Sequence, residues 1–225
     1  RRYGRAIGAL PFVRLVAVTG TLAVNNIDRG ADIDYLVATA PHRVWLARSM
    51  TLAFVRLGRL EGVTICPNYV ISVESFAQLD RTLFTAHELA QMIPVYGYDV
   101  YLDLVQANLW AQTLLPNAFH DLASGPEPEL RRAVQVAKRG GELLLTGKLG
   151  DLWEERESRV KIRRLSQQAK AIGACKADFA PDRCKGHLDD HGSGIGSAYA
   201  QRLQDLGLDP LDVGEAQASA QWSAC

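Results

Sequence analysis

The chain has 225 residues, of which 48% are apolar and 22% charged, so it is globular and long enough for one large or two small domains with a real core. With 25 basic and 25 acidic residues the formal net charge is zero. No overall field draws it to nucleic acid or to a membrane, and any such surface must be local.

Arg1 to Leu10 is basic and rich in small residues, and reads as the end of a helix feeding the first strand. Two apolar, β-branched runs follow, Val13 to Thr19 and Ile33 to Val37, which read as neighbouring buried strands. Thr21 to Asn26 is a helical turn and Ile27 to Ala31 a loop. Thr39-Ala40-Pro41 is expected to open a helix running to about Leu57, with Thr39 as its cap. Its arginines interrupt the apolar run, so it is no membrane span. Gly62 to Val73 reads as a third strand, where Pro67 argues for an edge or a bulge. Beyond Asp80 the pattern turns helical: Thr82 to Ile93, then Tyr98 to Leu115 with a break near Asn108, joined by Pro94-Val95-Tyr96-Gly97. Asp121 to Pro128 is a linker, Glu129 to Ala174 a long helical block with a doubled Gly140-Gly141, and Phe179 to Ser193 irregular. Ser197 to Leu206 is a last amphipathic helix before an Ala/Ser/Gln-rich tail. There is no internal repeat.

The chemistry concentrates at the first two strands. Asp32 and Asp34 open the second with one residue between them, so on a strand they project to the same face while Ile33 turns the other way. Two carboxylates side by side repel and resist burial, and the usual remedy is a divalent cation such as Mg²⁺, which also takes substrate phosphates. Gly20 lets backbone approach an anion, and the N–H groups around Thr21 and Leu22 suit a phosphate. The alternative is a strand–turn–strand with two solvated aspartates.

Gly20-Thr21, a ten-residue gap and then Asp32-Ile33-Asp34 in an apolar strand resembles the signature of the polymerase-β-like nucleotidyltransferase superfamily. The segments C-P-N-Y-V-I-S and L-F-T-A-H-E-L-A-Q-M are similar to a little-characterised prokaryotic branch of it. The resemblance implies that Gly20 and Thr21 hold the triphosphate of an NTP and that Asp32 and Asp34 bind Mg²⁺, or Mn²⁺, as the catalytic acids. It also implies a third carboxylate on a later strand. The third strand offers none before Glu74, and Asn68, on one face with Cys66, is the expected occupant of that place beside the nucleotide. Asparagine offers a ligand oxygen but takes no proton as a base. Glu74 or Asp99 could supply the missing charge from elsewhere.

Other constellations are weaker. His87-Glu88 lacks the second histidine of a zinc-protease helix, since position 91 is Gln91. Thr146-Gly147-Lys148 lacks both the first glycine and the trailing hydroxyl of a P-loop, and the Gly192, Gly194, Gly196 run follows no strand. Cys175, Cys184, His187 and His191 make a full tetrahedral zinc set with short gaps. Alternatively Lys185 and His187 reach the nucleotide or the acceptor, or the segment is a plain loop. The basic run Arg156 to Lys176 is a solvated helix face or an anionic-acceptor contact. Four scattered cysteines fit a reducing cytoplasm, no signal peptide is visible, and a start at Arg1 rather than Met points to a missing or processed N-terminal piece.

The expectation is therefore an α/β (α+β) chain. A nucleotidyltransferase-type mixed sheet with helices occupies residues 1–78 and a helical region residues 79–225, with the cleft between them. The expected activity is Mg-dependent transfer of NMP from an NTP to an acceptor, whether small molecule, protein or RNA, in the cytoplasm and without a membrane partner. The alternative is a degenerate relative that binds a nucleotide or a partner. Zinc is the lesser metal expectation, and the sequence leaves oligomeric state open.

Overall fold

A computed structural model describes residues 1–26, 32–77, 81–119, 130–173, 177–186 and 191–208, the first part of the last helix by its backbone alone. The elements in order are α1 (Arg2–Gly8), β1 (Val13–Thr19), α2 (Gly20–Ala23), β2 (Ile33–Thr39), α3 (Val44–Leu60) and β3 (Ile65–Ser72). Then come α4 (Leu83–Gln91), β4 (Ile93–Tyr96), α5 (Tyr98–Gln106) and α6 (Ala111–Leu114). The chain ends with α7 (Arg132–Leu145), α8 (Lys148–Ala171), β5 (Asp178–Ala180), β6 (Arg183–Lys185) and α9 (His191–Asp205).

Among the described residues the strands form one mixed sheet in the order β4-β1-β2-β3-β6-β5. β1 and β2 are antiparallel, β2 and β3 parallel through the α3 crossover, and the remaining pairs antiparallel. The expected α/β architecture is the one observed. The part after residue 78 is mainly helical, and it also returns β4, β5 and β6 to the sheet.

Strand alternation builds a core on each face. Val16, Tyr35, Val37 and Val70 face α1, α3 and α8 through Ile7, Val44, Trp45, Val55, Ile162 and Leu165. Leu15, Ala17, Leu36, Ala38 and Ile71 face α4, α5 and α6 through Ala86, Leu89, Tyr101, Leu104 and Ala111. The result is a sheet between two helical layers, with the acidic end of β2 at one rim.

Three details depart from the sequence pattern. Thr39 does not cap α3: it is the last residue of β2 and its hydroxyl donates to the Ile71 carbonyl. The helix starts later, at Val44, and its free N–H groups on Trp45 and Leu46 donate to the two carboxylate oxygens of Glu154 on α8, at 3.0 and 2.7 Å. A carboxylate at a helix N-terminus satisfies orphan donors and opposes the dipole. Pro94-Val95-Tyr96 is not only a joiner but the body of β4, whose turn into α5 uses Gly97 at φ +80°. A Cβ there would sit 1.9 Å from the Arg14 carbonyl oxygen, so only glycine fits. The segment read as irregular contains β5, β6 and the start of α9. The linker 121–128 lies outside the described residues.

α7 turns polar side chains inward beside the half-buried Val134 and Leu145. Its buried Lys138 donates to the carbonyls of Gly8 and Val13, each at 2.6 Å, and to the Tyr96 hydroxyl at 2.8 Å. Glu142 accepts from the Phe12 N–H at 2.8 Å and from Arg14 at 2.6 Å. These polar side chains satisfy backbone groups where β1 begins, because burying either group unpaired would cost more than the bonds return.

Candidate active site

The site stands where β1 ends and β2 begins. Thr19 lies opposite Asp34 across the antiparallel pair. Gly20 then turns the chain at φ +66°, in the left-handed region. A Cβ on Gly20 would meet Asp34 Oδ2 at 2.6 Å, so glycine is required both for the turn and for the space. The Gly20-Thr21 peptide is thereby laid against the carboxylate that the sequence places fourteen residues further on. Thr21 is exposed in the four-residue α2.

Asp32 is exposed just before β2, and Asp34 is half-buried one step inside it. A carboxylate oxygen of each, and the Cys66 sulfur, lie within 4.8 Å of one another. No other cluster of this kind occurs among the described residues. β3 reaches the acids through an irregular register. Asp34 pairs with Cys66 but Leu36 with Tyr69, so β3 advances one residue more than β2. That bulge is the accommodation of Pro67, which cannot donate to the ladder, and it brings both Cys66 and Asn68 to Asp34. The Cys66 thiol donates to Asn68 Oδ1 at 3.2 Å, and the Asn68 amide donates to Asp34 Oδ1 at 2.7 Å.

Burial, then the Asp32 carboxylate, then Glu88 push the Asp34 carboxyl from 3.8 up to about 7. Burial and the two aspartates push the Cys66 thiol up to about 12, so it stays protonated. Glu88, half-buried on α4, is also raised by burial, with Lys185 pulling the other way. Lys185 sits on β6 opposite Tyr69, and the next residue, Gly186, donates its N–H to the Asn68 carbonyl at 2.9 Å. Asp34 on β2 and Lys185 on β6 thus lie to either side of β3 near Asn68, and Glu88 on α4 interacts electrostatically with both.

The donor set fits a hard divalent cation. Two carboxylates offer oxygen ligands, and the ionised form of Asp34, disfavoured as it stands, is what a cation would stabilise. A protonated Cys66 is no ligand for Mg²⁺. Asp32 and Asp34 would hold the ion.

Of the residues singled out from the sequence, Gly20, Asp32, Asp34 and Asn68 are brought together, with Thr21 next to Gly20 and Lys185 at the margin. Glu74 lies past the far end of β3, and Asp99 follows a strand that runs away from Thr19, so neither reaches the acids. The further acid that acts on Asp34 is Glu88, which lies outside the cluster of Asp32, Asp34 and Cys66 and which sequence reasoning passed over while rejecting a zinc helix. The available signal was that Glu88 is the only acid of α4. Cys184 is buried on β6 in the core with Trp45 and Val70, its thiol raised by burial and beside Arg48. Cys175 and His187 lie outside the described residues, and His191 opens α9.

No family model and no curated relative matches the sequence. Three solved structures resemble part of the chain. One is a toxin–antitoxin with AMP-PNP, at 17% identity over 51% of this chain and 89% of that one, TM-score 0.35. Another is a mutant of the toxin–antitoxin MntA-HpeT, at 16% identity over 51% and 86%, TM-score 0.34. The third is a tri-AMPylated Shewanella oneidensis HEPN toxin in complex with MNT antitoxin, at 17% identity over 51% and 82%, TM-score 0.30. No helix among the described residues is long and apolar enough to cross a membrane.

Proposed function

We propose that this chain transfers a nucleotidyl group from an NTP to an acceptor, using Asp32 and Asp34 to hold Mg²⁺ or Mn²⁺. The observation that carries the reading is the contact of Gly20 with Asp34: a turn able to take phosphate is built against a carboxylate able to take the cation that phosphate needs. The resemblance of Gly20-Thr21 and Asp32-Ile33-Asp34 to the superfamily signature supports the same roles.

The acceptor oxygen attacks the α-phosphorus and the bond to the bridging oxygen breaks, so that pyrophosphate leaves. The bound cation would neutralise the phosphates and favour the ionised acceptor. The Gly20-Thr21 turn orients the β- and γ-phosphates with backbone N–H groups. The Asn68 amide fixes one oxygen of Asp34 and leaves Oδ2 turned to the Gly20 side. Lys185 opposes the raised Glu88 carboxyl and would meet an anionic substrate. NTP-dependent pyrophosphate release, with labelled acceptors of each class in turn, tests this. Asp32→Ala and Asp34→Ala are expected to abolish release, and rates equal to wild type would remove the proposal.

A second reading is favoured by one observation. Where the superfamily resemblance implies a third carboxylate, Asn68 and a protonated Cys66 stand instead. On that reading the chain binds nucleotide, or a partner, without turnover. Calorimetry separates the two, because tight binding of NTP with Mg²⁺ and no pyrophosphate release selects the second.

A further inference from the structure

We propose that Cys66 makes the acid pair a site for Zn²⁺, which binds Asp32, Asp34 and the Cys66 thiolate together and so shuts the site to Mg²⁺. The inference concerns regulation of the proposed nucleotide site. It rests on the metal-binding part of that reading and not on the transfer reaction.

Three places in the chain supply the ligands. Asp32 precedes β2, Asp34 lies one step inside it, and Cys66 stands opposite Asp34 on the parallel β3. One ligand atom from each lies within 4.8 Å of the others. Around one tetrahedral zinc, with Zn–O of about 2.0–2.2 Å and Zn–S of about 2.3 Å, ligand atoms stand about 3.3–3.6 Å apart. The side chains therefore close in by about 1.5 Å at most. Asp32 is exposed, so it can swing without repacking a core.

Asn68 holds the other two ligands in line. It is buried, its amide donates to Asp34 Oδ1 at 2.7 Å, and its side-chain oxygen accepts from the Cys66 thiol at 3.2 Å. Its backbone carbonyl is held in turn by the Gly186 N–H at 2.9 Å. An outer layer of this kind fixes the direction of metal ligands. On binding, the S–H bond breaks, a Zn–S bond forms and the proton passes to solvent. Arg48 of α3 also favours the thiolate.

The two ions differ in what they ask of these residues. Mg²⁺ takes oxygen ligands in octahedral geometry and leaves the thiol protonated. Zn²⁺ accepts sulfur and oxygen in a tetrahedron and stands above the earlier divalent ions in affinity for such sites. Position explains the inhibition. In the sheet β2 lies between β1 and β3, so Cys66 is on one side of Asp34 and Gly20 on the other. An ion held by the thiolate is drawn away from the turn that takes phosphate.

Titration of the full chain with Co²⁺, a coloured stand-in for Zn²⁺, tests the proposal. Wild type is expected to develop a thiolate-to-cobalt charge-transfer band that saturates at one equivalent. Zn²⁺ displaces the cobalt, and Mg²⁺ at about a hundredfold excess does not. Cys66→Ser keeps the shape and the donor to Asn68, so its circular dichroism stays that of wild type. It loses the band and at least about 30-fold in zinc affinity by calorimetry, while Mg²⁺ affinity moves by less than about threefold. Asp32→Asn, at an exposed position, weakens cobalt and magnesium alike by about tenfold or more. Wild type without a thiolate band overturns the proposal, as does a band that persists in Cys66→Ser or a cobalt affinity untouched by Asp32→Asn. Zinc that leaves pyrophosphate release at its full rate overturns the inhibition. A chain that shows the band but releases no pyrophosphate keeps the zinc site and loses the transfer reaction instead.

Discussion

Asp34→Asn is expected to stabilise the metal-free protein at pH 8 while abolishing its activity. A carboxyl displaced from 3.8 to about 7 carries a cost of at most about 4 kcal/mol in its ionised form. Asp34 is only half-buried, so solvent screening reduces this to about 1–2 kcal/mol. Between these two values the folded chain holds a proton that the unfolded chain has released. Stability therefore falls as pH rises from about 4 to about 7, then levels off. Asparagine is neutral throughout and its carbonyl still accepts from the Asn68 amide, so the variant escapes the fall. Urea unfolding of both proteins at pH 4 and pH 8 reads the difference, with the rest of the titration cancelling. The gain appears at pH 8 and vanishes at pH 4. Millimolar Mg²⁺ at pH 8 closes the gap by stabilising wild type and leaves the variant unmoved. An Asp34→Asn protein no more stable than wild type at pH 8, or equally more stable at both pH values, refutes the electrostatic reasoning.

Glu154→Ala leaves two N–H groups at the buried start of α3 without acceptors and is expected to cost about 2–3 kcal/mol in urea unfolding. Glu154→Gln, which keeps one acceptor oxygen, loses about 1 kcal/mol. Burial holds Lys138 down to about 8, below its ordinary 10.5, so the folded chain gives up that proton first and stability rises with pH between the two values. Lys138→Met loses about 2 kcal/mol at pH 7 and no longer shows that rise in a series of unfolding curves. Glu88→Gln lowers the pH at which Asp34 ionises, and NMR titration of the Asp34 carboxyl carbon reads the shift.

What the sequence discloses follows how local each cause is. β1, β2 and β3 announce themselves because β-branched residues alternate or run unbroken, and Asp32 and Asp34 share a face by a rule that needs only their spacing. Pro67 told of a bulge because the missing N–H is a property of one residue. The break near Asn108 was legible too. Its side chain donates back to the Leu104 carbonyl and across to that of Phe76, at the point where α5 ends. The start of α3 was not legible, since its cap is Glu154, more than a hundred residues away. β4, β5 and β6 escaped for a related reason. They are three or four residues long, and only pairing with distant strands makes them strands. At the site, Glu88 was hidden by its neighbours, because which face of α4 meets Asp34 is decided by tertiary packing. α7 shows the same limit in reverse: polar Lys138 turns inward while apolar Val136, Leu143 and Leu144 stay exposed.

The most direct test of the nucleotide site is calorimetric titration of ATP with Mg²⁺ into wild type, Gly20→Ala and Asp34→Asn. Adding the methyl group at Gly20 both strains a backbone at φ +66° and pushes on Asp34 Oδ2. Wild type is expected to bind, with both variants folded and weaker by at least about tenfold, which is 1.4 kcal/mol. Wild type that takes up no nucleotide, or a Gly20→Ala protein that binds it as well as wild type, contradicts the assignment of this turn and this acid pair.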